Sequence, residues 1–136
     1  MKGRKVICYL SATMAVVLVL GALAYFFVFV PVSEMARDTT VDVTCSRVVA
    51  SVNIFEAEQG RRPQSLAELE SHQDPKDEAM VATFKGMHHN SWNDIYQFVP
   101  TTNGYAIIVA GPKPGLAGWF GGQRRTERQY EWRRHD

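Results

Sequence analysis

From Val6 to Val30 the chain reads VICYLSATMAVVLVLGALAYFFVFV, without a charged residue or a proline. As a helix rising ~1.5 Å per residue this run extends about 37 Å, enough to cross a ~30 Å hydrocarbon layer with some tilt. It is apolar all round rather than on one face, so a small domain cannot cover it. The run predicts a membrane-spanning helix over residues 6–30. Lys2, Arg4 and Lys5 precede it, whereas Glu34, Arg37 and Asp38 follow Pro31. That asymmetry predicts residues 1–5 in the cytoplasm and the remainder on the outer side. A cleaved secretory signal is the competing reading: Ala22-Leu23-Ala24 has the small-x-small form of a cleavage site, and MKGRK would serve as its positive start. Cleavage there would leave YFFVFV as an exposed apolar terminus, which favours an uncleaved anchor.

Beyond the run, the 136-residue chain has room for one modest domain. The formal charge of +1 is unevenly spread, with eight of the fourteen acids between Glu56 and Asp94 and five arginines between Arg124 and Arg134. Neither block is a single-sign run, and nucleic acid is not expected as a partner. The two cysteines, Cys8 and Cys45, offer no disulfide framework and no zinc spacing. Cys45 reads as a small buried hydrophobe.

Val41, Cys45, Val48, Val52 and Phe55 recur at spacings of four, three, four and three, one face of a helix. Val49 and Ile54 would widen that stripe, while Asp42, Arg47, Asn53 and Glu56 face elsewhere. Gly60 is placed to cap the helix and Pro63 prevents its continuation. Upstream, Pro31 and Thr39-Thr40 are candidate kinks. Ser65 and Glu68 form a capping box for a short helix in PQSLAELES, with Leu66 and Leu69 turned to the core. MVATF (80–84) reads as either a short strand or a loop anchor. IYQFV and YAIIV flank Thr101-Thr102-Asn103-Gly104 and predict a β-hairpin, with positive φ angles at Asn103-Gly104. Two strands are marginal alone, and the helical stripe is the surface available to cover them.

No nucleophile elbow, phosphate-binding glycine loop or metalloprotease helix occurs. GPKPGLAGWFGG lacks the Lys-Ser/Thr ending of a phosphate loop and reads as turns. His88 and His89 with Asp94 lack a convincing further ligand and read as loop histidines. Asp74, Asp77 and Glu78 lack the alternation and glycine of a calcium loop. Trp92 is expected against the helix. Trp119-Phe120 would either fold back over the sheet edge or stand exposed, to anchor a partner or touch lipid headgroups. No residue is assigned a catalytic, cofactor-binding or metal-binding role, and no cofactor is expected.

In their order these pieces resemble the type II secretion pseudopilins, the major pseudopilin above all, and more distantly the type IV pilins. Phe55–Leu69, FEAEQGRRPQSLAEL, resembles the family's Y…nGrYPtsleeL passage. SWNDIYQFVP is similar to DPWGNPYxY, with Trp92 and Tyr96 in register, and NGYAIIVAGPKPGLAGWFGG is similar to ngYdlySlGaDGkpGGeg. The likeness covers Val41 to Gly122. Three features depart from it. MKGRKVICYLSAT has neither the leader's cleavage site nor the glutamate early in the apolar run that serves filament assembly. The loop after Gly111 has no carboxylate before Glu127 and carries Lys113 where an acid is expected, so the family's calcium is not expected here. Arg61-Arg62 replaces the arginine–aromatic pair, and RRTERQYEWRRHD has no family counterpart.

The resemblance implies an α+β, pilin-like fold, in which a long transmembrane and amphipathic helix packs on a small antiparallel sheet. The expected organisation is a cytoplasmic 1–5, a spanning helix 6–30, an outer domain 31–122 and a basic, flexible tail 123–136. The implied protein is a non-enzymatic, single-pass component of a type II secretion or pilus-related apparatus. It would sit in a bacterial inner membrane, its domain in the periplasm, in contact with lipid and with similar subunits or apparatus proteins. A membrane-anchored binding module that kept the domain without polymerising is the alternative.

Overall fold

The computed structural model describes residues 2–133, and of Lys2, Arg4 and Lys5 the backbone alone. Met1 in the expected cytoplasmic segment, and residues 134–136 of the expected tail, lie outside the described residues. The chain divides into two units, Met1–Ala36 and Arg37–Asp136. The fold is α+β: a long apolar N-terminal helix and a small three-stranded antiparallel sheet.

In the first unit, α1 (Lys2–Ala24) passes into a π-helical turn, Tyr25–Phe29, and then into α2 (Val30–Gln59). The N–H of Val30 bonds to the carbonyl of Tyr25, five residues back. Pro31 follows immediately; its ring crowds the carbonyl four residues behind it and it has no N–H to donate. A widened turn is the local adjustment that such a crowded ladder permits. Neither Pro31 nor Thr39-Thr40 ends the helix. The large aliphatic and phenylalanine side chains of α1 and the π turn, Leu10, Val17, Leu18, Leu20 and Phe27 among them, are exposed in this unit, and Tyr25 is half-buried. This helix is long and apolar enough to cross a membrane.

In the second unit, the stripe Val41, Cys45, Val48, Val52 and Phe55 is fully buried, and Val49 packs beside it. Ile54 does not widen it and stays exposed. Gly60, at φ 63°, ends the helix and donates its N–H to the Glu56 carbonyl at 2.9 Å. That positive φ is one glycine adopts without steric cost. α3 (Leu66–His72) is capped by Ser65, whose hydroxyl accepts from the Glu68 N–H at 3.2 Å. Glu68 reaches back to the N–H of Gln64 instead of Ser65, at 2.7 Å, a one-residue variant of the capping box. That hydrogen bond, helped by Arg61, holds the Glu68 carboxyl below its ordinary value.

MVATF is neither strand nor loop anchor. It belongs to α4 (Glu78–His88), capped by Asp77, which accepts from the Met80 N–H at 3.1 Å. Met80, Phe84 and Met87 fall on one helical face and are buried.

The expected hairpin is present as β1 (Ile95–Pro100) and β2 (Gly104–Pro112), with Phe98 opposite Ile107 and Pro100 opposite Tyr105. Its turn differs from expectation: neither Asn103 nor Gly104 has a positive φ. The loop is closed by Thr101, whose N–H and hydroxyl both reach the Gly104 carbonyl, at 2.8 and 2.9 Å. Glycine is required at 104 for another reason. A Cβ there would lie 2.0 Å from the Tyr130 carbonyl oxygen.

Tyr130 belongs to the largest departure from expectation. After the four-residue α5 (Leu116–Trp119), residues Gln123–Glu131 form β3, antiparallel to β2 along its length, and the sheet order is β1-β2-β3. The expected flexible tail is therefore an edge strand through Glu131. Its alternation explains this: Arg124, Thr126 and Tyr130 are half-buried while Gln123, Arg125, Glu127 and Gln129 are exposed. Trp132, just beyond, is buried. One face of the sheet, through Tyr96, Phe98, Tyr105, Ile107, Val109 and Tyr130, packs in a core with α2, α3 and α4.

Candidate functional site

Where α2 begins its course through the second unit, Arg37 is buried against Asp94, with Nε to Oδ2 at 2.8 Å and Nη2 to Oδ1 at 3.4 Å. Arg37 Nη1 also donates to the Thr126 hydroxyl at 3.0 Å and to Asp38 at 3.2 Å. From β3, Arg124 brings its Nε to 3.6 Å from Asp94 Oδ1. The turn after α4 aims this carboxylate. Asn90 accepts from the N–H groups of Trp92 and Asp94, at 3.2 and 2.9 Å, and donates to the Asp94 carbonyl at 2.8 Å. Asn93 between them takes φ 53°, a conformation asparagine tolerates better than most residues. Gly111 of β2 completes the nest, since a Cβ there would lie 2.2 Å from Asp94 Oδ1.

With both oxygens committed to guanidinium groups, Asp94 clamps helix to sheet. The sequence suggested neither arginine, because Arg37 and Asp94 are 57 positions apart. His88, His89 and Asp94 do line one open cleft, together with Asn90 and Ser91, but they are not placed to share a metal ion. His88 ends α4, rather than lying in a loop, with Nε2 2.9 Å from Glu70. Among the described residues no three His, Cys, Asp or Glu side chains are placed to hold a metal ion.

At the other end of the sheet, Glu56 is buried at 4% exposure, where the helical pattern expected it to face away. It stands four residues after Val52, at the margin of the same stripe. Its Oε1 lies 4.0 Å from Arg62 Nε, and Oε2 has no hydrogen-bond partner among the described residues. Arg62 in turn lies over the Trp132 ring, 5.0 Å from its centre, and the indole N–H donates to the Thr101 carbonyl at 2.9 Å. Tyr105 stands amid Phe98, Tyr130 and Trp132, with ring centres 5.1, 5.3 and 4.9 Å away. Burial above all pushes the Tyr105 hydroxyl well above its ordinary value, and raises Tyr96, Tyr130 and the Cys45 thiol too. Cys45 in this state is a packed hydrophobe, poorly suited to nucleophilic attack.

Trp92 is half-buried and lines a shallow cleft with Thr40, Val43 and Arg47 of α2 and Gly86 of α4. It does lie beside the helix, though one side remains open. The last loop is different. Trp119 and Phe120 are 82% and 83% exposed, with ring centres 6.0 Å apart, and Leu116 beside them is also exposed. They do not fold back over the sheet edge. Lys113 donates its N–H to the Gly122 carbonyl at 2.9 Å, and Gly122 to the Ala117 carbonyl at 2.7 Å. At Gly118 a Cβ would meet the Lys113 carbonyl oxygen at 2.0 Å. The loop is thus cross-tied by its own backbone and presents two aromatic rings to the outside.

Neither any protein family, nor any curated protein, nor any solved structure matches this chain. The exposed features among the described residues include an apolar helix, an aromatic loop and several open clefts.

Proposed function

We propose that this is a membrane-anchored structural subunit of pseudopilin type, working by assembly and protein contact rather than by catalysis. The observation that carries the reading is the division of labour along its N-terminal helices. Residues 6–29 expose apolar side chains on every side, whereas the later stripe from Val41 to Phe55 is spent on covering a small antiparallel sheet. The early part suits lipid and neighbouring helices; the later part makes a domain. The motif order from Phe55 to Gly122 adds the family likeness. Charge on either side of residues 6–30 supports a bacterial inner-membrane location, with residues 1–5 cytoplasmic and the domain periplasmic.

Self-association of the apolar helix tests this directly. Cys8 is exposed on that helix and Cys45 is buried, so oxidative cross-linking of isolated membranes reads one position. Repeating it with cysteine at Ser11 and at Met14 in a Cys8→Ser background covers further faces. Assembly predicts covalent dimers at one or more of these positions. No dimer at any of them, with the chain abundant in the membrane, overturns assembly through this helix and favours the monomeric binding module.

A further inference from the structure

We propose that Trp119 and Phe120 seat the α+β unit on the interface of the bilayer spanned by residues 6–30, as a second and reversible membrane contact. This inference rests on the anchored reading above.

Position comes first. The loop leaves the sheet at the pair Pro112–Gln123, one step beyond Gly111–Arg124. Arg124 approaches Asp94, Gly111 lies against it, and Arg37 holds it. The aromatic loop therefore emerges from the end of the sheet at which α2 joins the unit. Chain length then limits the distance to lipid. From Val30, where the apolar run stops, to Arg37 the rise is ~10 Å as helix and at most about 25 Å if fully extended. With residues 6–30 spanning a bilayer, a tether of this length leaves the interface within reach of that end of the unit.

Chemistry selects the occupant. Tryptophan and other amphipathic rings are enriched at the headgroup level of membranes, and the loop presents Trp119 with Phe120 and Leu116. Cations border it at Lys113 and Arg125, and no acid occurs between Asp94 and Glu127. Such a rim is attracted to anionic headgroups. Because the backbone ties of Lys113, Ala117 and Gly122 already order the loop, docking loses little conformational entropy.

The test uses the full chain reconstituted in phosphatidylcholine–phosphatidylglycerol vesicles, with and without bromine on the acyl chains. Trp119→Ser is the comparison protein, so that subtraction isolates Trp119 from Trp92 and Trp132. Most of the Trp119 emission should be blue-shifted and lost in brominated vesicles. Solvent-like, unquenched emission would overturn the proposal. Blue-shifted but unquenched emission would overturn it too, because the loop would then be covered by protein, such as a second copy. Alkaline washing and flotation separate the two readings. A chain released from the vesicles defeats the anchor and this inference together, whereas a retained chain with unquenched Trp119 defeats this inference alone.

Discussion

Residues 6–29 and the stripe from Val41 to Phe55 are both apolar helix, yet their environments are opposite. In the first, every large side chain but the half-buried Tyr25 is exposed; in the second, the five stripe residues are buried to the last few per cent. Composition alone does not separate them, because Val, Cys and Phe occur in both. Angular distribution does. A stripe one face wide leaves polar residues such as Asp42, Ser46 and Arg47 in water, and a small sheet is enough to cover it. Apolar residues all round need a solvent that is itself apolar. Period, more than hydrophobicity, decides what a helix is dissolved in.

The sharpest way to break this contrast is Phe55→Ala. With 2% exposure, its truncation should destabilise the second unit by about 3–5 kcal/mol, read from urea unfolding of the full chain in detergent, followed by tryptophan fluorescence. An unchanged midpoint would mean that the stripe does not build the domain. Asp94→Asn comes next, at about 3 kcal/mol, since it takes from the buried Arg37 its buried anionic partner and leaves only the exposed Asp38. Replacing Arg37 by Met together with Asp94 by Leu should recover part of that loss, the remainder reflecting Arg124, which also approaches the Asp94 carboxylate; no recovery at all would show that the buried Arg37 charge is not what Asp94→Asn exposes.

Leu18→Arg probes the other helix. An arginine near the middle of a span costs about 2.5–3.5 kcal/mol of insertion free energy, so the membrane-integrated fraction should fall. The unfolding midpoint of the second unit should not move. A shift there would show that residues 6–29 contribute to the domain's stability. Ser65→Ala removes the cap of α3 and should cost about 1 kcal/mol. Asn53→Ala, beside the stripe but outside it, should stay within about 0.5 kcal/mol.

How far these features were readable differs by element. The α2 stripe, the Gly60 stop, the Ser65 cap and the two hairpin strands each follow from local spacing or local turn chemistry. Within α4, Met80, Thr83, Phe84 and Met87 also hold helical spacing, and Asp77 supplies a cap. That signal was present but short, and the β-branched Val81 and Thr83 masked it. β3 was hidden for a physical reason. An edge strand can turn long polar side chains inward when partners await them, as Arg124 and Thr126 do at Asp94 and Arg37. Its pattern of arginines then looks like a solvated tail. Charged edges of this kind also discourage pairing between molecules. The clamp at Asp94 and the burial of Glu56 arise from residues distant in sequence, and no periodicity announces such meetings.

Trp132 lends the order of synthesis a structural meaning. Its indole is bonded to Thr101 and its backbone N–H reaches the Asn103 carbonyl at 3.3 Å, so the hairpin loop waits on a residue made much later. Until β3 arrives, β2 is itself an open edge carrying Tyr105, Ile107 and Val109. A chain delivered across a membrane from its N-terminal end would emerge with helices and hairpin ready but unsealed, exposed to pairing with a neighbour in the same condition. Closure comes only when residues 123–132 are released. The last segment of the core to be translated is thus also the one that closes the β2 edge, and a chain truncated before residue 123 is expected to self-associate through that edge rather than form a smaller version of the fold.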